Sequence, residues 1–183
     1  MKWLISICLF FSWLTTAAQD GLEYADLQLI TEEVQLADSL QINATLYQKN
    51  LLDSSTVKKW FSNVFSGSGN NRIKSRNYYL AGKITSNEFF DLLVLQEEKK
   101  RSDSSSFQVV YLITLKKDGT FIASIEAAIA GIRKKSSFNT FSRLYMDNKI
   151  AVISRMTVNE KTYDDFMNYK ITSKGRFILY PKY

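Results

Sequence analysis

The chain of 183 residues contains no histidine, one cysteine and one proline. Each absence removes a class of chemistry. Without histidine no Ser-His-Asp relay can be assembled, and a zinc ion would have to be held by carboxylates alone. Cys8 has no second cysteine to pair with, so no disulfide staples the fold. Pro181 stands near the C-terminus, so no proline interrupts the strands or helices before it. The seven glycines form no phosphate-binding loop. An enzyme built on this chain would have to work with carboxylates, lysine or tyrosine, and no cofactor is implied.

Lys2 precedes an apolar run from Trp3 to Leu14, followed by the small and polar Thr15, Thr16, Ala17 and Ala18. That order is the pattern of a secretory signal peptide, residues 1–18, cut after Ala18. The run is about half the ~20 residues a spanning helix needs, and no later segment is long and apolar enough to supply one. The expectation is an exported protein, periplasmic, cell-surface or secreted, whose mature part carries neither His nor Cys and no transmembrane segment. Residues 19–183 have the length of one domain. The net charge of +6, one unit of which leaves with Lys2, favours anionic partners. Outside the cytoplasm these are acidic glycans or envelope lipids rather than nucleic acid. The same charge also serves solubility.

Residues 19–66 read as an N-terminal helical or extended element. Leu22, Ala25, Leu29 and Val34 suggest a helix, and Leu40-Gln41-Ile42 with Leu46 a strand. Val57, Trp60, Phe61, Val64 and Phe65 fall at i, i+3, i+4, i+7 and i+8, the apolar stripe of an amphipathic helix. Ser54 or Ser55 is the expected cap, and Gly67 lies just past the end. Residues 67–76 read as a connector, flexible through Ser66-Gly67-Ser68-Gly69-Asn70-Asn71.

From residue 77 to 183 the chain reads as a β-meander with strands near 77–84, 88–96, 107–116, 120–131, 139–146, 149–158, 162–172 and 176–181. Asp118-Gly119, Asp147-Asn148 and Lys174-Gly175 supply turn residues that tolerate positive φ. Phe107, Val109, Tyr111, Ile113 and Leu115 share one strand face, with Val110 and Leu112 on the other, so this strand is expected to be covered on both sides. Residues 120–131 also fit a helical period, but the Asp118-Gly119 hairpin signal favours a strand. Tyr111-Leu112-Ile113-Thr114 before Thr120-Phe121-Ile122 is echoed by Tyr169-Lys170-Ile171-Thr172 before Arg176-Phe177-Ile178. The meander therefore reads as two copies of four strands. The expected fold is mainly β, an antiparallel up-and-down meander of about eight strands, closed as a barrel or split into two packed sheets.

The export signal, the short amphipathic helix and meanders ending in Y-x-I-T-x-K-G-R-F-I resemble uncharacterised secreted β-meander proteins of gram-negative bacteria. The resemblance implies an envelope setting and carries no activity.

In an up-and-down meander alternate connections fall at opposite ends. The longer ones, 97–106, 132–138 and 159–161, would gather Lys99, Lys100, Arg101, Arg133, Lys134, Lys135 and Lys161 against Glu97, Glu98, Asp103 and Glu160, with serines between them. Such a rim can bind an anionic ligand or simply keep a surface wet. Glu126, within Ile125-Glu126-Ala127-Ala128-Ile129, is the weak catalytic candidate. Glycoside hydrolysis would need a second acid opposite it, Glu88 or Asp91; strand alternation instead turns Glu126 to solvent beside Ser124. Asp164-Asp165 and Glu160 lack the spacing of a calcium loop. Trp60, on the buried helix stripe, weakens a sugar-stacking reading, in which tyrosines would have to stand in. Arg72, Lys74 and Arg76 before Tyr78-Tyr79 resemble a single-strand nucleic-acid pattern but read more simply as a charged entry strand. Asn43-Ala44-Thr45 fits the glycosylation acceptor pattern, which matters only in a eukaryotic setting.

The reading is an exported, non-enzymatic binding or structural module, recognising an acidic glycan, an envelope lipid or another envelope protein through the basic loops. Its alternatives are a barrel-type carrier of an apolar ligand and a hydrolase using Glu126.

Overall fold

The computed structural model describes residues 21–44, 50–65, 69–99, 105–133 and 135–181. The expected signal peptide, Leu46 and Gly67 lie outside the described residues. No helix among the described residues is long and apolar enough to cross a membrane. The N-terminal element contains α1 (Tyr24–Leu29), β1 (Ser39–Ile42), β2 (Leu51–Leu52), α2 (Ser54–Phe61), a 3₁₀ turn (Ser62–Phe65) and α3 (Gly69–Lys74). The meander follows as β3 (Arg76–Ser86), β4 (Phe90–Lys99), β5 (Ser105–Lys116), β6 (Phe121–Arg133), β7 (Ser136–Tyr145), β8 (Lys149–Val158), β9 (Lys161–Ile171) and β10 (Phe177–Leu179).

All ten strands belong to one antiparallel sheet, ordered β10 to β2 along the chain with β1 added to β7. Residues 121–133 are strand, as the turn before them indicates, and not helix. Gly119, Asn148 and Gly175 adopt φ of 85°, 62° and 78° in three hairpin turns. The sheet is open: β2 and β10 are its two ends and do not pair with each other. The expected barrel is thus not formed, and neither are two separate sheets. One sheet instead rolls over on itself.

Local irregularities drive the roll. Ala81 and Ile84 are extra residues between β3 and β4, and Ala127 and Ile122 between β5 and β6. Such bulges bend and twist a ladder. Ser142 donates its hydroxyl to the Ala127 carbonyl, satisfying a group at one of these bulges. β6 pairs with β7 only over residues 129–133 and 136–140; beyond that, β1 takes over the pairing with residues 142–145.

Two cores result. On one face the helices cover β3 to β5: Tyr24, Leu27, Val57, Phe61 and Phe65 pack on Tyr78, Leu80, Leu93, Leu95, Val109, Tyr111, Ile113 and Leu115. Trp60 and Val64 border this cluster, so the amphipathic stripe docks as its spacing predicts. On the other face Phe90, Leu92 and Val94 of β4 share a cluster with Ile150 and Val152 of β8 and Ile171 of β9. Three strands separate β4 from β8 in the ladder, so this contact requires the sheet to curl. The alternation along β5 sends Tyr111 and Ile113 to the first core and Val110 and Leu112 to the second.

Several local expectations need correction. The α2 cap is Asp53, not Ser54 or Ser55. Its carboxylate accepts from the backbone N–H groups of Ser55 (2.8 Å) and Thr56 (2.9 Å). Two bonds from one charged acceptor satisfy helix-start donors better than one hydroxyl can. The segment read as connector instead contains α3. In α1 the buried side chains are Tyr24 and Leu27, while Leu29 is exposed. A helix of six residues is set by its contacts rather than by a periodic stripe, because so short a helix is not stable alone.

Candidate functional site

The helix-facing side of β4 carries two carboxylates that the sequence reading treated as peripheral. Asp91 and Glu97 are each only 1% exposed. Asp91 accepts from the Tyr24 hydroxyl (2.9 Å) and Gln28 Nε2 (2.9 Å) of α1, and from Lys117 Nζ (2.7 Å). Glu97 receives Arg72 of α3 through Nε (3.0 Å) and Nη2 (2.7 Å), the Tyr111 hydroxyl (2.8 Å), and Arg76. Burial pushes the Glu97 carboxyl up, but the Arg72 and Tyr111 hydrogen bonds and both guanidinium charges outweigh it and hold the group below the usual carboxylate range. Burial, reinforced by the Glu97 charge, drives the Tyr78 and Tyr111 hydroxyls well above the ordinary tyrosine value. Both carboxylates are fully occupied with partners. They fasten α1 and α3 to the sheet. Arg72 and Arg76 are therefore structural ligands of Glu97, and the expected entry strand through residues 72–76 is a helix followed by a strand start.

Glu126 is exposed, as strand alternation predicts, and stands opposite Tyr111 on β6. Asp91 flanks β5 from the other side, opposite Leu115. Four residues of strand separate the two levels, roughly 13 Å along the sheet. That exceeds the ~5–9.5 Å between the acids of a glycosidase, and the other proposed partner, Glu88, lies in the β3–β4 turn still farther along. Asp164 and Asp165 are neighbours on β9 and so point to opposite faces; Asp164 forms a two-bond ion pair with Arg155 (2.8 and 2.9 Å). No cluster of three metal-ligating side chains occurs among the described residues.

The topology does place alternate connections at opposite ends, as read from the sequence. At the long-loop end Lys99 is half-buried and Lys135 and Lys161 are exposed. Lys100, Arg101 and Lys134 lie outside the described residues, as does the side chain of Arg133. Glu97, counted among the rim acids, is buried instead. Its strand continues to Lys99, and α3 closes over it.

A second group of basic residues, which the sequence reading passed over, gathers at the short-turn end. Lys116 closes β5, and Lys174 and Arg176 belong to the β9–β10 turn. With Phe89, Ile122 and Ser173 they line an open recess of about 490 Å³. Its floor is apolar and its three charged lining residues are all basic. The geometry is firmly held. Ile122 is the extra residue of a bulge, which turns it towards the recess. The β9–β10 turn is fixed by Gly175 N–H to Thr172 C=O (2.9 Å) and Arg176 N–H to Thr172 Oγ1 (3.0 Å). Thr114 of β5 then donates its hydroxyl to the Gly175 carbonyl at 2.6 Å. A Cβ on Gly175 would come within 3.1–3.2 Å of Ile122 and Phe90, besides being strained by the positive φ. Asp118, on the neighbouring turn, is held below its usual value chiefly by hydrogen bonds from Thr120, and Lys116 contributes. Repetition of the Lys/Gly turn was visible in the sequence. That the roll would bring both copies of it together was not.

Comparison with protein-family models, with curated proteins and with solved structures finds no match for this chain. The chain is thus described by its own fold, an open ten-stranded antiparallel meander clasped by three short helices.

Proposed function

We propose that this chain is an exported, non-enzymatic binding module whose ligand is an anionic amphiphile, with a carboxylate or phosphate head and an apolar tail or ring. Export is supported by the charge, apolar run and small residues of positions 1–18. The resemblance to secreted β-meander proteins supports an envelope setting in the same way. The observation that carries the ligand class is the recess at the short-turn end. Phe89 and Ile122 offer apolar surface, while Lys116, Lys174 and Arg176 surround it with positive charge. An apolar lining with a few convergent polar groups is the usual make-up of a small-ligand site. A purely hydrophilic glycan would leave Phe89, 57% exposed, without a partner. An uncharged lipid would leave three cations unused. Binding rather than catalysis is favoured because both buried carboxylates are saturated with donors and the chain has no histidine.

The test is titration of the purified protein with decanoate and with decanol, at low and high salt. Beside it run two variants, Lys116→Ser/Lys174→Ser/Arg176→Ser and one with Lys99, Lys100, Arg101, Arg133, Lys134 and Lys135 changed to serine. The reading expects decanoate to bind more tightly than decanol, salt to weaken it, and the recess variant to lose about tenfold, given ~0.2–1 kcal/mol per exposed charge. A loss confined to the six-residue variant would move the site to the long-loop end. Equal affinity for acid and alcohol would overturn the anionic reading.

A further inference from the structure

We propose that the β8–β9 hairpin is a self-association surface through which two copies of this chain continue one sheet across a two-fold axis. β10 covers β9 only over residues 169–171, and the Tyr180 N–H reaches Asn168 C=O. From Lys161 to Met167 no described strand lies on the outer side of β9. Residues 161–166 are exposed on both faces. Edge strands are usually blunted by shortness, proline, cover or charged side chains; among the described residues this stretch has only the charges, Lys161, Asp164 and Asp165.

The backbone is poised for pairing. Asn159 and Glu160 have φ of 48° and 68°, the pattern of a two-residue hairpin turn flanked by Val158 and Lys161. In such a hairpin the flanking pair is hydrogen-bonded, so residues 161, 163 and 165 bond inward to β8. Thr162 and Asp164 then direct their N–H and C=O groups outward.

Side chains select the partner. A row of apolar residues crosses the ladder in register: Phe138 on β7, Met156 on β8 and Tyr163 on β9, with Phe107 of β5 in ring contact with Phe138 at 5.5 Å. The row ends at the edge, where Tyr163 is 54% exposed. A second copy can extend it in few registers. A two-fold axis at Asp164 sets Asp164 against itself, and an axis at Asp165 does the same to Asp165. An axis at Tyr163 places the two tyrosines together, pairs Thr162 with Asp164 of the other copy through their outward backbone groups, and sets Lys161 opposite Asp165 twice. That register alone of the three joins opposite charges and continues the apolar row as Phe138, Met156, Tyr163, Tyr163, Met156, Phe138. Self-complementarity about one axis is what a two-fold dimer requires.

Sedimentation across a concentration series tests this with Lys161→Asp, Asp165→Lys and the double exchange. These residues are exposed, so the fold is expected to persist, and a melting curve for each variant checks it. The proposal expects wild-type protein to reach twice the monomer mass and each single variant to associate about tenfold or more weakly through like-charge contacts. The double exchange, which restores Lys opposite Asp, should recover wild-type association to within about threefold. A monomer at every concentration, single variants that associate like wild type, or a double exchange that fails to recover would each overturn it.

Discussion

The two halves of the meander share a short motif, Tyr111-Leu112-Ile113-Thr114 before Phe121-Ile122 and Tyr169-Lys170-Ile171-Thr172 before Phe177-Ile178, and end in different surroundings. β3 to β6 lie between helices on one face and the rolled-over strands on the other, and the first eight residues of β4 are all buried. β7 to β10 form a second run of four strands, yet β8 has three exposed residues and the first six residues of β9 are exposed throughout. Tyr111 and Tyr169 occupy matching places in the repeat, but only Tyr111 has an α3 arginine and a buried carboxylate above it. What distinguishes the halves is cover, and cover comes from the N-terminal element. Strand pattern fixes which residues alternate; it does not fix what lies over them.

Substitutions should separate the halves by size of effect. Phe61→Ala, at the centre of the helix-covered core, should cost about 3–5 kcal/mol, whereas Phe166→Ala on the exposed hairpin should cost less than ~1 kcal/mol; chemical denaturation measures both. Glu97→Gln should cost about 3 kcal/mol, because it leaves two partly buried guanidinium groups without their shared counter-charge.

The same substitution should flatten the acid limb of the stability curve. With its native carboxyl held below the unfolded value of ~4, Glu97 binds fewer protons folded than unfolded in that window. Its contribution is therefore full above the unfolded value and lost as pH falls through the folded one. Denaturation midpoints between pH 2 and 6 would show this. Asp53→Ala should cost about 1 kcal/mol as a lost cap. Burial alone would raise the Asp53 carboxyl, but the Ser55 and Thr56 hydrogen bonds bring it down to about 2, so its share persists to lower pH than is usual. Of the changes compared, Arg155→Ala, which opens an exposed ion pair, should alter stability least.

Much of the meander was legible in the sequence because its signals are local. Alternation along residues 107–115 and positive-φ turns at Gly119, Asn148 and Gly175 mark strands and reversals without reference to anything distant. Open or closed was not legible, since it depends on bulges at Ala81, Ile84, Ile122 and Ala127, which no alternation rule marks. The roles of Asp91 and Glu97 were hidden for the same reason. An acid on a strand reads as solvent-facing until its donors are placed, and those donors, Gln28, Tyr24 and Arg72, come from 25 to 67 residues away. The short-turn recess likewise draws Phe89, Lys116 and Arg176 from three separate hairpins. Trp60 shows the opposite case: its stripe alone indicated docking on an apolar surface, and its half-buried ring borders the helix-covered core and packs on Tyr24 of α1 at 5.5 Å.

Residue-resolved hydrogen exchange, taken at a concentration low enough to keep the protein monomeric, tests this account most directly. If cover decides stability, amides of β4 and β5 should exchange only on global unfolding, while the amides of residues 153–166 exchange through local opening and respond little to Phe61→Ala. Equal protection of both halves, falling together in that variant, would contradict it.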